Sequence, residues 1–300
     1  MQGAVPPAAA RSYLFVPGNR PERFAKALAS GADALILDLE DSVPAAEKEL
    51  AREAVTHWLE TVAAPLPIWI RVNPASSQWH RDDLQLLLRA SPTGLMLPKC
   101  EGAEDLLSFD RSIAEIERAA GRPPGSVQVL VIATESARAL QRIHTFDQAM
   151  PRLAGILWGA EDLAASLGLR SLRDRQGHYL SPARQARDAA LLASHACGVA
   201  AIDAVYTGLD DPVGLAEETR AHAALGFTAK AAIHPAQIAV IHQALQPSPD
   251  DVAWAAEVLA ELENGAKASG RVRGAMVDQP HLKAALHIQA SLARLGALKK

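Results

Sequence analysis

The sequence predicts a (β/α)8 barrel followed by a C-terminal helical extension, and three observations carry that prediction. Short apolar runs recur at intervals of roughly 30 residues, the repeat of a strand–helix unit. The segments between them place apolar residues at helical spacing and carry start and stop signals. Nearly every apolar run exits into charged or hydrogen-bonding residues, whereas the connections entering the strands are blander. That bias is expected of an enzyme barrel, whose chemistry sits at the C-terminal ends of its strands.

The first strand is expected over 13–16 and exits into PGNR. The turn PGNRPER (17–23) has the form of an anion-binding strand-to-helix connection with Arg20 near the helix start, but it lacks the glycine and lysine pattern of a P-loop. ERFAKALASG then reads as a helix closing on Gly31. The second strand, 34–39, exits into DLED and sets Asp38, Glu40 and Asp41 within four positions. Carboxylates at the end of an apolar strand must be paired, hydrogen-bonded or bound to a cation. The third strand, 68–72, ends in RVN. Its Arg71 suits bidentate recognition of a substrate carboxylate, or a salt bridge to the acids next door, and the two roles are compatible.

The fourth strand, 95–97, ends in PKCE, the fifth, 127–133, in ATES, and the sixth, 155–158, in GAED. Glu135 and Asp162 thus fall at the ends of neighbouring strands and can offer two carboxylate oxygens to one cation. Two carboxylates with positions left for water and substrate suit Mg²⁺. Each acid also reads as a helix N-terminal residue favoured by the macrodipole, and spacing alone does not choose. SPARQARDAALLASHACG forms the next helix, from Ser181 and Pro182 to Gly198. The seventh strand, 199–205, follows it. A helix between Asp210 and Gly226 leads to the eighth strand, 230–233, which exits into His234 and Pro235; the histidine there reads as structural. Strict alternation through eight strands favours closure over an open doubly wound sheet.

The chain continues past the eighth strand with a helix from 235, another from near 250, the Gly-rich stretch ENGAKASGRVRG expected as a mobile loop, and a last helix from about 280. The expected organisation is a flexible leader (1–11), a catalytic barrel (12–245) and an extension (246–300) that serves as a lid or as an arm on a neighbouring subunit. With 300 residues, 49% of them hydrophobic, and a net charge of −4, the chain shows no electrostatic footprint for nucleic acid or a membrane surface. Its longest apolar runs are too short to span a bilayer, and its N-terminus lacks the pattern of a secretory signal. Two cysteines, Cys100 and Cys197, fit free thiols in a reducing cytoplasm. The ten histidines show no zinc-ligand spacing.

Taken together, SYLFVPGNRPERFAKA, DALILDLEDSV, IWIRVNP, LMLPKCE, VIATESARAL, GILWGAEDLAASLG, AIDAVY and AAIHPAQI resemble the citrate lyase beta-subunit-like (CitE-like) branch of the HpcH/HpaI aldolase family, from about Ser12 to about Ala285. The resemblance implies a (β/α)8 barrel, usually trimeric, that uses Mg²⁺ and a CoA-thioester or acyl-carrier thioester substrate. It implies that Glu135 and Asp162 are the metal ligands and that Arg71 holds the carboxylate of a 2-oxo acid, with Glu135 facing the substrate. It assigns Arg20 and the PGN turn to thioester binding. GAMVDQPHLKAA resembles the family segment whose aspartate, here Asp278, is a catalytic acid/base reached across a subunit interface. Asp38, Glu40 and Asp41 then become supporting groups: Glu40 and Asp41 hold metal-bound water or orient Arg71, and Asp38 pairs with a cation or backbone amide inside the barrel mouth.

The implied chemistry is cleavage of a 3-hydroxy-acid thioester of malyl, citramalyl or citryl type. Loss of the hydroxyl proton lets the C–C bond break to a 2-oxo acid and an acetyl-thioester enolate, which Asp278 protonates. A free-standing lyase is favoured over the beta subunit of a multi-protein citrate lyase, a thioesterase, or a catalytically silent barrel.

Overall fold

Eight parallel strands, each four to six residues long, close into a barrel in sequence order, with the last hydrogen-bonded to the first. They are β1 (Ser12–Pro17), β2 (Ala34–Asp38), β3 (Ile68–Arg71), β4 (Gly94–Leu97), β5 (Gln128–Ala133), β6 (Leu153–Trp158), β7 (Ala200–Asp203) and β8 (Ala229–Ala232). This computed structural model describes residues 10–147, 150–263 and 266–298. Around the barrel run α1 (Phe24–Leu28), α2 (Lys48–Thr61), α3 (His80–Gln85), α4 (Ala103–Ala119), α5 (Ala137–Arg142), α6 (Ala160–Leu167), α7 (Ser181–Cys197), α8 (Pro212–Leu225) and α9 (Gln237–Ala244).

Strand alternation decides what faces the barrel axis. Tyr13, Ala34, Ile36, Trp69, Met96, Leu130, Ile132, Leu157, Ile202, Ala229 and Ala231 form one buried cluster, the packed interior of the barrel. Two residues beyond Ile36 is Asp38, and two beyond Trp69 is Arg71. The same alternation that fills the interior with apolar side chains therefore delivers an acid and a guanidinium to its C-terminal rim.

The outer face carries its own charged lock. Lys230, flanked by the inward Ala229 and Ala231, is fully buried and points toward α8. Its ammonium lies 2.5 Å from Asp203 Oδ2 and 3.1 Å from Glu218 Oε1. Asp203 also accepts from Trp158 Nε1 (2.8 Å) and lies 2.9 Å from His222 Nδ1. Burial would raise the Asp203 carboxyl, but Lys230 and His222 outweigh it and hold it well below the usual carboxylate range. Lys230→Met is expected to cost about 3–5 kcal/mol in urea-induced unfolding, because it leaves a buried carboxylate pair without its cation.

Residues 1–9 of the expected leader lie outside the described residues. Ala10 is buried within the barrel cluster, and the Arg11 guanidinium holds Asp33, with Nε 2.7 Å from Oδ2.

The chain divides into two compact units at Ala244/Leu245. The second comprises α10 (Pro249–Glu261), β9 (Ser269–Val272), β10 (Ala275–Asp278) and α11 (Gln279–Leu298). It has its own small core, in which Val258, Leu259 and Leu262 of the α10 segment meet Val272, Val277, Leu282 and Ala285. A capping box starts α10, with Ser248 and Asp251 exchanging side-chain and backbone bonds. Of the Gly-rich stretch 263–274 expected as a mobile loop, residues 264 and 265 lie outside the described residues. Residues 269–274 supply the first strand and turn of an ordered antiparallel hairpin, Ala275 opposite Val272 and Asp278 opposite Ser269. Arg273 (φ 49°) and Gly274 (φ 84°) form its two-residue turn in the left-handed region. The inward Val272 and Val277, not the glycine content, decide the outcome.

Among the described residues, no helix is long and apolar enough to cross a membrane. The Cys100 thiol donates to Gly102 O (3.5 Å) and the Cys197 thiol to Phe146 O (3.0 Å).

Candidate active site

The C-terminal rim of the barrel is a charged mouth built from the exits of β2, β3, β4, β5 and β6. Arg71 meets Asp38 through two parallel bonds, Nε to Oδ1 and Nη2 to Oδ2, both 2.6 Å. Its third nitrogen, Nη1, lies 3.0 Å from Glu40 Oε2 and 3.9 Å from Asp41 Oδ2. The bidentate edge of the guanidinium is therefore taken by Asp38, and only the Nη1 side remains for a ligand. Burial would raise the Asp38 carboxyl, but Arg71, Ser42 and the Glu40 amide together bring it below its ordinary value. The Phe15 ring packs against the guanidinium at 5.0 Å.

A buried lysine holds the acidic turn in place from behind. Lys48 donates all three ammonium hydrogens, to Leu39 O (2.8 Å), Glu40 O (2.7 Å) and Asn73 Oδ1 (2.8 Å). Asn73 in turn receives support from Asp83, whose Oδ2 accepts from the Asn73 backbone N–H at 2.8 Å. The DLED turn and the RVN exit are thus one hydrogen-bonded unit.

Glu135 is the buried acid of the mouth. Its Oε2 accepts a short hydrogen bond from the Lys99 backbone N–H. Among the described residues no lysine or arginine side chain pairs with it, and burial, with Asp162 and Glu40 nearby, pushes its carboxyl up to about 8. Two non-glycine residues beside it adopt positive φ, Lys99 at 51° and the β-branched Thr134 at 67°. Such strain persists only where the surroundings impose it, and it gathers at functional sites. Gly159 is required for the same reason of space: a Cβ there would lie 2.3 Å from Glu135 Cγ.

Lys99 closes the ring. Its ammonium forms a short bond with Glu40 Oε1 and reaches Asp41 Oδ1 at 3.2 Å and Asp162 Oδ1 at 3.7 Å. Three carboxylates, those of Glu40, Asp41 and Asp162, face this one ammonium, and Glu135 is held by the backbone N–H of the same residue, while Arg71 is committed mainly to Asp38. A buried carboxylate without a cation, beside three more acids, suits a hard divalent cation. The donor set is all oxygen and partly open to solvent, with the Asp162 side chain 37% exposed. A cavity of about 290 Å³ opens onto the same groups, lined by Phe15, Asp38, Arg71, Glu135, Asp162 and Ile233 among others.

A second group of possible metal ligands, Asp203, Glu218 and His222, lies on the outer face of the barrel wall. The buried Lys230 ammonium contacts both of its carboxylates, so its cation is internal.

Arg20 is exposed and pairs with Glu22 (2.6 Å). The neighbouring cavity, about 320 Å³, is lined instead by Arg23 and Lys26 of the following helical turns, with Phe15, Ile233 and His234. The PGN turn itself is pinned to the acidic strand, Gly18 N donating to Asp38 O at 2.8 Å. His234 also serves the local chain, its Nδ1 accepting from the Ala236 N–H (3.2 Å). Asp278 belongs to the second unit, at the end of β10, where Oδ1 lies 2.7 Å from His281 Nδ1 and the side chain is 35% exposed.

Lys99, Lys48 and the Arg23/Lys26 pair were not singled out from sequence. PKCE at the end of β4 was the available signal for Lys99, and helical spacing after PGN the one for Lys26.

A family model described as HpcH/HpaI aldolase/citrate lyase matches residues 11–235. A citrate lyase subunit beta-like protein of Mycobacterium tuberculosis is 39% identical over 291 residues, covering 96% of this chain and 97% of that one. The L-malyl-CoA/beta-methylmalyl-CoA lyase of Cereibacter sphaeroides is 34% identical over 296 residues, covering 92% of each. Among solved structures, CitE from Mycobacterium tuberculosis in complex with magnesium, acetoacetate and coenzyme A superposes with a TM-score of 0.79 at 37% identity, covering 96% of this chain and 100% of that one.

Proposed function

The chain belongs to the HpcH/HpaI aldolase/citrate lyase family, and on that premise we propose that it is a Mg²⁺-dependent carbon–carbon lyase. It cleaves, or in reverse condenses, a 3-hydroxy-acid CoA thioester of malyl, citramalyl or citryl type, giving a 2-oxo acid and an acetyl thioester. The observation that carries the reading is Glu135, a buried carboxylate with no cationic side chain paired to it among the described residues, set beside Asp162, Glu40 and Asp41. The magnesium-bound relative supports the same reading.

In this reading Glu135 and Asp162 would hold the metal, and Glu40 and Asp41 would support it from alongside. When bound, Mg²⁺ supplies Lewis-acid polarisation of the substrate's hydroxyl and carboxylate oxygens. Arg71 presents Nη1 to the carboxylate of the departing 2-oxo acid, while Asp38 fixes the plane of its guanidinium. Phe15, Leu157 and Ile233 line the apolar side of the cavity and limit water near the breaking bond. Arg23 and Lys26, with Arg20 at the entrance turn, supply positive charge for the phosphates of a CoA thioester in the adjoining cavity. As the C–C bond breaks, the substrate hydroxyl gives up its proton to solvent and its oxygen becomes the 2-oxo carbonyl. The released electron pair forms the acetyl-thioester enolate, and a protonated Asp278 of a neighbouring subunit donates a proton to its carbon and is reprotonated from solvent. A cytoplasmic homotrimer is the assembly this implies.

The test is a panel of malyl-, methylmalyl-, citramalyl- and citryl-CoA offered to the purified chain with and without Mg²⁺, with the 2-oxo acid and acetyl-CoA both measured. Metal-dependent release of both products from at least one is expected. Hydrolysis to free CoA without a 2-oxo acid identifies a thioesterase. No cleavage of any free CoA thioester points to a subunit that needs a carrier-protein partner.

A further inference from the structure

One group facing the acids of the mouth, the Lys99 ammonium, has no part in that reading. Lys99 stands immediately beyond β4, its backbone in the left-handed region at φ 51°. A lysine gains nothing from that conformation by itself. Here the conformation sends the backbone N–H to Glu135 Oε2 and the side chain across the mouth to three other acids. One residue at the exit of β4 thus contacts the exits of β2 (Glu40, Asp41), β5 (Glu135) and β6 (Asp162).

The ammonium is a compact point charge with three rotatable donors, suited to a site of converging carboxylates. It also opposes the metal, because an added divalent cation and a fixed ammonium repel each other while competing for the same oxygens. The side chain is 37% exposed, so it has an open route to solvent.

We propose that the Lys99 ammonium is a built-in counter-ion, which holds the acid ring together before a divalent cation arrives and competes with that cation for Glu40, Asp41 and Asp162. Lys99 is on this account a positioning residue that sets metal affinity. Its side chain turns out of the ring when the metal binds, leaving the backbone N–H to hold Glu135. The inference rests on the reading of Glu135 and Asp162 as metal ligands.

The experiment is calorimetric titration of Mg²⁺ into metal-stripped full-length protein, as wild type, Lys99→Met and Lys99→Arg, with thermal unfolding measured in chelator and in excess Mg²⁺. Lys99→Met is expected to bind Mg²⁺ about tenfold more tightly, the consequence of removing one close positive charge. Its melting temperature in chelator is expected to fall by a few °C, about the shift that one lost ionic contact causes in a domain of this size. Excess Mg²⁺ is expected to restore it. Lys99→Arg, which keeps the charge, should bind Mg²⁺ within about twofold of wild type, as a pair with the same net charge would. Wild-type binding together with an unchanged or weaker Lys99→Met constant overturns the counter-ion role alone. Absence of any Mg²⁺ binding by the wild type overturns the ligand reading beneath it.

Discussion

Asp162→Asn is expected to lower Mg²⁺-dependent cleavage by about 10³-fold or more while leaving the fold intact, the scale of losing one electrostatic stabiliser of the reacting charge. The side chain is 37% exposed and sits in the first turn of α6, so the substitution opens no cavity. Its structural cost is the macrodipole contribution of one acid, about 1 kcal/mol or less. Glu135→Gln should abolish the same activity with the opposite effect on the metal-free protein. The Glu135 carboxyl is raised to about 8, so between the ordinary carboxylate range and pH 8 the folded state binds a proton that the unfolded state has lost. Stability of metal-free wild type from this group is therefore full at low pH and declines as pH rises toward 8. Glu135→Gln removes that decline, and in wild type Mg²⁺ should reverse it. Chemical unfolding across pH 5 to 8, with and without Mg²⁺, reads both effects. Undiminished turnover in either variant would remove that residue from the ligand set.

How far this site could be read in the sequence depends on how local each interaction is. The period-2 alternation of Ala34, Ile36 and Asp38 is written in consecutive residues, and so are the strand exits that carry Arg71, Glu135 and Asp162. The closed barrel and its charged end were accordingly legible, and the Arg71–Asp38 pair was one of two roles anticipated for that arginine. What the pair does to the substrate edge of Arg71 was not visible, because it depends on side-chain geometry across two strands. Lys99 was illegible for a related reason. Its function in the ring requires a left-handed φ that sequence composition does not mark in a lysine, and three other strands to bring acids to it. The hairpin of the second unit illustrates the same limit. A turn made by Arg273 and Gly274 carries only half of the usual signal, and the flanking glycines and serines read as loop. Lys230 shows the reverse hazard: an isolated charge in an apolar strand becomes intelligible only once β7 and α8 place Asp203 and Glu218 against it.

Asp278→Asn is expected to silence the lyase with Mg²⁺ binding unchanged, and this second large effect reports on assembly as well as chemistry. Asp278 lies outside the barrel unit, in the hairpin-and-helix unit with its own core, partly exposed and held by His281. An acid needed only to deliver a proton to the enolate can come from a neighbouring chain, whereas Glu135 and Asp162 must come from the chain whose barrel holds the metal. On the proposed shared site, Asp162→Asn and Asp278→Asn damage different halves. When the two inactive proteins are unfolded together and reassembled at equal concentration, some sites will pair an intact barrel with an intact Asp278 from the adjacent chain. With random mixing in a closed ring that fraction is about one quarter, so activity should return to roughly that share of wild type. Recovery of that size establishes the shared site. A mixture as inactive as its components, under conditions where wild type reassembles fully, confines Asp278 to its own chain, and full activity of Asp278→Asn alone removes it from the chemistry. Calorimetry separates these cases from a damaged fold, since Asp278→Asn should bind Mg²⁺ as wild type does and Asp162→Asn should not.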